Sequence, residues 1–189
     1  KTRYPWDGRI EIIVDPRTTA TFALNLRVPG WAEGATLTVN GQPAGVATAP
    51  GTYASVTREW KSGDAVLLDI PMPVRTWEAH PHVEADVAKV AVTRGPLVYC
   101  IEQADNPELD PWDVVVSPGA QWTDDWKPLL LNGIVTLSTD AKVVDASGVG
   151  SLYRPAGAEL PSKREKVTFI PYYVWGNREA GPMTVWVRK

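Results

Sequence analysis

The sequence predicts an all-β fold built as two antiparallel β-sandwich modules, and three observations carry that expectation. Apolar residues recur at every second position in short segments, the period of a half-buried strand. Turn signals separate these segments at spacings of roughly 8–12 residues, as in sandwiches. One hairpin is written almost explicitly: Ala35-Thr-Leu-Thr-Val39 runs into Asn40-Gly41, and both central residues of a type I′ turn need positive φ.

In the first half, Ile10, Ile12 and Val14 share one face of the opening strand, which Asp15-Pro16 ends. Phe22, Leu24, Leu26 and Val28 do the same in the next, before Pro29-Gly30 turns the chain into Trp31. After the hairpin, Thr52–Arg58 and Ala65–Ile70 are strands around a Lys61-Ser-Gly-Asp64 turn. Pro71-Met-Pro73 to His80-Pro-His82 shifts the composition and marks a junction, so the expected modules are 1–78 and 79–189. Beyond it come Ala88–Thr93 and Pro96–Ile101, the latter almost continuously apolar and therefore expected to be buried on both faces. The stretch from Asp105 to Leu129 reads as loop, and strands resume at 133–137, 141–144, 166–170 and 183–187. Seventeen prolines and fifteen glycines interrupt the chain too often for long helices.

Composition narrows the function classes. The net charge of −3, with scattered Lys and Arg, gives no expectation of a nucleic-acid partner. No apolar run approaches the ~20 residues that span a bilayer, so no membrane partner is expected; the compartment stays open. A single cysteine allows no internal disulfide, leaving packing to hold the fold. Nine tryptophans are a heavy load; Trp6, Trp31, Trp60 and Trp77 lie near turns or strand ends, where a buried or half-buried structural role is expected.

Few residues suggest chemistry. His80, His82, Glu84 and Asp86 are spaced by two, so an extended segment would project all four to one side as a Zn²⁺ or Mn²⁺ donor set. A solvated strand face is the preferred account, because Pro81 disturbs that geometry; no metal site is assigned. Cys100, flanked by Tyr99 and Ile101, reads as a buried, inert thiol. Acids beside aromatics can grip a sugar, and Trp122, Asp124, Asp125 and Trp126 are the best such group, as a carbohydrate-binding candidate. A surface loop anchored by its tryptophans explains the same residues without a ligand.

Five segments, taken together, resemble a known family: Tyr4-Pro-Trp-Asp-Gly8, Leu26-Arg-Val-Pro-Gly-Trp-Ala32, Trp60-Lys-Ser-Gly-Asp64, Arg94-Gly-Pro-Leu-Val-Tyr-Cys-Ile-Glu102 and Ile170-Pro-Tyr-Tyr-Val-Trp-Gly-Asn-Arg178. In this order they are similar to the C-terminal portion of family 127 glycoside hydrolases, the β-L-arabinofuranosidase group. The resemblance implies that catalysis belongs to an upstream (α/α)6 barrel. There a zinc-bound cysteine is the nucleophile, further cysteines and a glutamate are ligands, and another glutamate is the acid/base. With one cysteine, this chain matches none of those positions, so no catalytic residue and no cofactor are carried over; the family's zinc is expected in the barrel.

The resemblance further implies a first module without its opening strands, hence an exposed sheet edge. It also implies the parent's own barrel as partner and a homo-oligomer. The expected function is a non-catalytic region of such a hydrolase. The alternatives are a carbohydrate-binding module and an independent metal enzyme built on His80 and His82.

Overall fold

The computed structural model describes residues 1–189, which divide into two compact units, Lys1–Pro73 and Val74–Lys189. In the first unit the strands are β1 (Arg9–Val14), β2 (Ala20–Arg27), β3 (Thr36–Val39), β4 (Gln42–Pro43), β5 (Tyr53–Trp60) and β6 (Asp64–Asp69). They form a four-stranded sheet in the order β1-β6-β3-β4 and a two-stranded sheet β2-β5, with every pairing antiparallel. Both sheets contribute to one core: Val14, Leu37, Val39, Val66 and Leu68 from the first, Ala54, Val56 and Trp60 from the second. That shared core is what makes the unit a sandwich.

The alternation holds where it was clearest. Ile10 and Ile12 pack partly buried against the core with buried Val14, while Ile13 between them is exposed. The hairpin has the expected chemistry: Val39 pairs with Gln42, and Asn40 and Gly41 have φ of 50° and 77°. Asn40 also stitches the turn to β6. Its amide donates to Asp64 Oδ1 and its carbonyl accepts from Ala65 N, both at 2.8 Å. The Lys61 backbone N–H and the Asn40 amide together hold the Asp64 carboxyl below its ordinary value of 3.8.

Phe22 departs from expectation: it is exposed rather than in the core. It lies near the start of β2 opposite Arg58, with its ring tilted towards that of Trp60 at 6.0 Å. Trp60 takes the buried position, fully enclosed, with its indole N–H donating to the Phe22 carbonyl at 3.0 Å. At the other end of the sandwich, Gly8 accepts a backbone hydrogen bond from Ile70 N at 3.1 Å. A Cβ on Gly8 would meet Ile70 O at 1.8 Å, so no other residue fits.

The second unit holds β7 (Val74–Trp77), β8 (Lys89–Arg94), β9 (Leu97–Glu102), β10 (Val114–Val115), β11 (Thr123–Lys127), β12 (Ile134–Val144), β13 (Ser162–Pro171), β14 (Met183–Thr184) and β15 (Val187–Arg188). The order is β14-β9-β13-β12-β10-β15-β8-β7, with β11 on β12 and a further pairing between β8 and β9. That last ladder joins the second strand of the path to the second-last, so hydrogen bonding runs in a closed circuit through β9, β13, β12, β10, β15 and β8, with β14 and β7 outside it. Closure leaves fewer open edges than two separate layers would. Pairings are antiparallel apart from the short parallel contact of β10 with β15.

Strand β9 is central, but the expected burial on both faces holds only for its later part: Tyr99, Cys100, Ile101 and Glu102 are consecutively buried, whereas Val98 is exposed and Leu97 half-buried. The Tyr99 hydroxyl donates to the Val135 carbonyl at 3.1 Å, and burial raises its pKa. The stretch expected as loop, Asp105 to Leu129, contains β10, β11 and the 3-10 turn Pro111–Asp113, and follows a 3-10 turn at Gln103–Asp105. Strand β11 is polar and exposed throughout, which hides it from any search for apolar alternation.

Candidate functional site

The most organised polar cluster lies where β9 ends. Glu102 is its last residue and is 1% exposed, so its carboxylate needs a partner. Arg178 supplies one, donating through Nη2 to Glu102 Oε2 at 2.7 Å. The same guanidinium grips Asp105 with both terminal nitrogens, Nη1 to Oδ1 at 2.8 Å and Nη2 to Oδ2 at 2.5 Å. This forked geometry is the strong form of a charge-assisted pair. Asp105, then Glu102, hold the arginine firmly as a cation despite partial burial, which opposes them. The Arg178 Nε–H is buried without a hydrogen-bond partner.

Two neighbours complete the frame. Glu102 Oε1 accepts from Gly176 N at 3.3 Å, fixing the backbone of the turn that leads to Arg178. Asn106, also buried, donates to the carbonyls of Glu102 and Thr168 and accepts from Thr168 N at 2.9 Å. The clasp therefore ties the ends of β9 and β13 to the segment 172–178. That segment opens with the 3-10 turn Tyr172–Val174, in which Val174 is buried and Trp175 N donates to the Tyr172 carbonyl at 3.1 Å. Gly176 has a φ of 75°, which reverses the chain before Asn177. Asn177 Nδ2 then bonds the Val174 carbonyl at 2.9 Å.

The turn holds its aromatic side chains outward. Tyr172 and Trp175 are 46% and 43% exposed, with ring planes 7° apart and centroids 6.2 Å apart. Neither the Tyr172 hydroxyl nor the Trp175 indole N–H has a hydrogen-bond partner in the chain. The arrangement is a rigid aromatic platform on a charged base, suited to packing or stacking rather than to proton transfer.

The carbohydrate-binding candidates fall on β11 or just before it. Strand alternation sets Trp122, Asp124 and Trp126 on one face and Asp125 on the other. Trp122 is half-buried, its ring edge-on to Phe169 at 5.1 Å. Asp124 pairs with Arg94 at 2.9 Å and Asp125 with Lys127 at 2.5 Å. Trp126 is exposed and lies against Gly133. The structure thus brings three of the four together on one face, and both acids are ion-paired.

The histidine segment is not extended. His80 and His82 meet edge-on at 4.8 Å within a turn, and Glu84–Asp86 form a 3-10 helix. The four side chains do not gather into a donor set for a metal. Cys100 is fully buried; burial, then the charges of Glu102 and Asp105, push its thiol up to about 12. A protonated thiol enclosed in an apolar strand does not fit a zinc ligand or a nucleophile. A cleft of about 590 Å³ opens elsewhere, lined among others by Glu108, Asp110, Asp113, Asp145 and Lys163.

The comparisons with known proteins place these features. A model described as the beta-L-arabinofuranosidase GH127 middle domain matches residues 1–72, and one described as the glycoside hydrolase family 127 C-terminal domain matches residues 74–188. The chain belongs to glycoside hydrolase family 127.

A curated relative, a non-reducing end beta-L-arabinofuranosidase of Bifidobacterium longum, is 36% identical over 100% of this chain and 30% of its own length. A crystal structure of a GH127 beta-L-arabinofuranosidase from Geobacillus stearothermophilus T6 superposes with a TM-score of 0.90 at 39% identity, covering 100% of this chain and 29% of that one. A structure titled as a glycoside hydrolase gives 0.90 at 38% identity, with 100% and 31% covered. The GH127 segment described here therefore spans less than a third of the relatives it matches. Its Glu102–Arg178 clasp lies within the region matched to the C-terminal domain.

Proposed function

We propose that this GH127 segment is an accessory, non-catalytic part of a larger β-L-arabinofuranosidase, and that it supports the remaining polypeptide and its subunit contacts. One observation carries the reading: the middle and C-terminal domain matches account for nearly every residue, while the chain covers 30% of a named arabinofuranosidase. The hydrolytic chemistry, with its zinc, then belongs to the larger part. Aryl β-L-arabinofuranoside offered to the isolated chain and to a full-length family polypeptide carrying it should be hydrolysed by the second alone.

Support for subunit contacts comes from the two-stranded sheet, whose ladder stops at the outer edges of both β2 and β5. Unpaired edges are templates for strand addition from another chain. Light scattering at high concentration should find a dimer; a strict monomer would remove this part of the proposal.

A second reading keeps a sugar on β11, favoured by the shared face of Trp122, Asp124 and Trp126. Titrating arabino-oligosaccharides while following tryptophan fluorescence tests it, and no saturable change would end it.

A further inference from the structure

We infer that the Tyr172–Trp175 turn is a preformed anchor on which the polypeptide preceding the middle domain in this family packs against the C-terminal domain. The inference rests on the accessory reading above and specifies where the support is given.

Three features of the turn argue for an anchor. Its rings are exposed yet fixed: Tyr172 and Trp175 lie parallel within 7°, on a backbone pinned by Gly176 N to Glu102 and by Asn177 to Val174. Fixed aromatic side chains lose little freedom on contact, which is why Tyr and Trp dominate interface hot spots. The fixing itself is costly, because Glu102 is a buried charge whose one charged partner is Arg178, with the Gly176 N–H on its other oxygen. A surface turn that merely reversed the chain needs neither a buried carboxylate nor a forked guanidinium beneath it. Both polar tips, the Tyr172 hydroxyl and the Trp175 N–H, remain available to carbonyls of an incoming surface.

Size and family context select the occupant. With rings of this class presenting 150–250 Å² each, two that are under half exposed offer about 200 Å² together. That is well short of the ~800 Å² each partner gives to a free-standing protein complex. It suits a hot spot inside a larger intrachain interface, where ~600–1,500 Å² is usual. The matched domains are a middle and a C-terminal one, and 69–71% of each relative's length lies outside the span of this chain, from coverages of 31% and 29%. A covalently tethered domain of that extent is the nearest available surface. The 590 Å³ cleft, which a small ligand would prefer, is lined by other residues.

Hydroxyl-radical footprinting of this chain alone and of a full-length family polypeptide containing it tests the inference. Tyr172 and Trp175 should oxidise readily in the isolated chain and several-fold more slowly in the full polypeptide. In the full polypeptide, the Tyr172→Ala/Trp175→Ala variant should expose protected residues of the preceding region, while the same variant of the isolated chain keeps its circular dichroism. Protection elsewhere on the chain but not at these two rings would overturn the anchor and leave the accessory reading standing. No protection anywhere would overturn both. Protection of the rings in the isolated chain by arabino-oligosaccharide, or by raising its own concentration, would instead assign the turn to a sugar or to a second copy.

Discussion

Arg178 neutralises Glu102 across 76 positions of sequence, with Nη2 2.7 Å from a carboxylate that is 1% exposed. The pair closes the end of β9 over the aromatic turn, so its removal has two readouts. Arg178→Met leaves a buried carboxylate with the Gly176 N–H alone and should destabilise the chain by about 3–5 kcal/mol. The paired change Arg178→Met/Glu102→Leu should recover part of that loss, because the more deeply buried charge is then gone and only the Asp105 carboxylate is left without its arginine. Urea unfolding of the two variants measures it; equal destabilisation by both would mean that the charge pair is not what matters.

The sequence showed the fold more clearly than the clasp. Alternation in β1 and β6 and the Asn40-Gly41 turn are local signals, so each could be read where it stands. The polar strand β11 escaped, because it is specified by its ladder with β12 and not by apolar residues of its own. Phe22 was misplaced for a related reason: period two gives a face, but which end of a face is covered depends on Trp60, distant in sequence. Glu102 and Arg178 each ended a segment that pointed to the family, and a carboxylate closing an apolar strand was the available hint of a buried partner. Naming that partner required the long-range contact itself. The closed circuit of the second unit depends on β8 pairing with β9 and β15 at once, which no single segment encodes.

Cys100 gives a pH signature. Its folded pKa is raised from 9.0 to about 12, chiefly by burial. The unfolded thiol therefore ionises first as pH rises, and stability present below pH 9 is lost progressively up to about pH 12. The slope it contributes is at most about 1.4 kcal/mol per pH unit. Chemical denaturation at pH 8 to 11 should show a shallower alkaline decline in Cys100→Ala. The native thiol should also resist alkylation at pH 8 until the protein unfolds.

Gly8 is a steric requirement. A methyl group there would sit 1.8 Å from the Ile70 carbonyl oxygen, so β1 and β6 must part at that end. Gly8→Ala should cost about 2 kcal/mol or more through overpacking of backbone. Gly41, with open space around it but a φ of 77°, should lose only about 1 kcal/mol as Gly41→Ala. Thermal melts of both variants rank them, and the reverse order would contradict the close approach.

Trp60 holds the first unit's two-stranded sheet to its core. It is fully buried, and its N–H bonds the Phe22 carbonyl. Trp60→Ala should cost about 3–5 kcal/mol, whereas truncating exposed Tyr53 to Ala should change stability by less than about 0.5 kcal/mol. Urea midpoints for the pair check this, and a mild Trp60→Ala would place the core elsewhere.

The most direct measurement is turnover of aryl β-L-arabinofuranoside by the purified chain, run beside a full-length family polypeptide that includes these residues. The expected result is release of the aryl group by the longer protein and none above background by the shorter one, with or without added zinc. Sustained, saturable hydrolysis by the 189 residues alone would overthrow the accessory role.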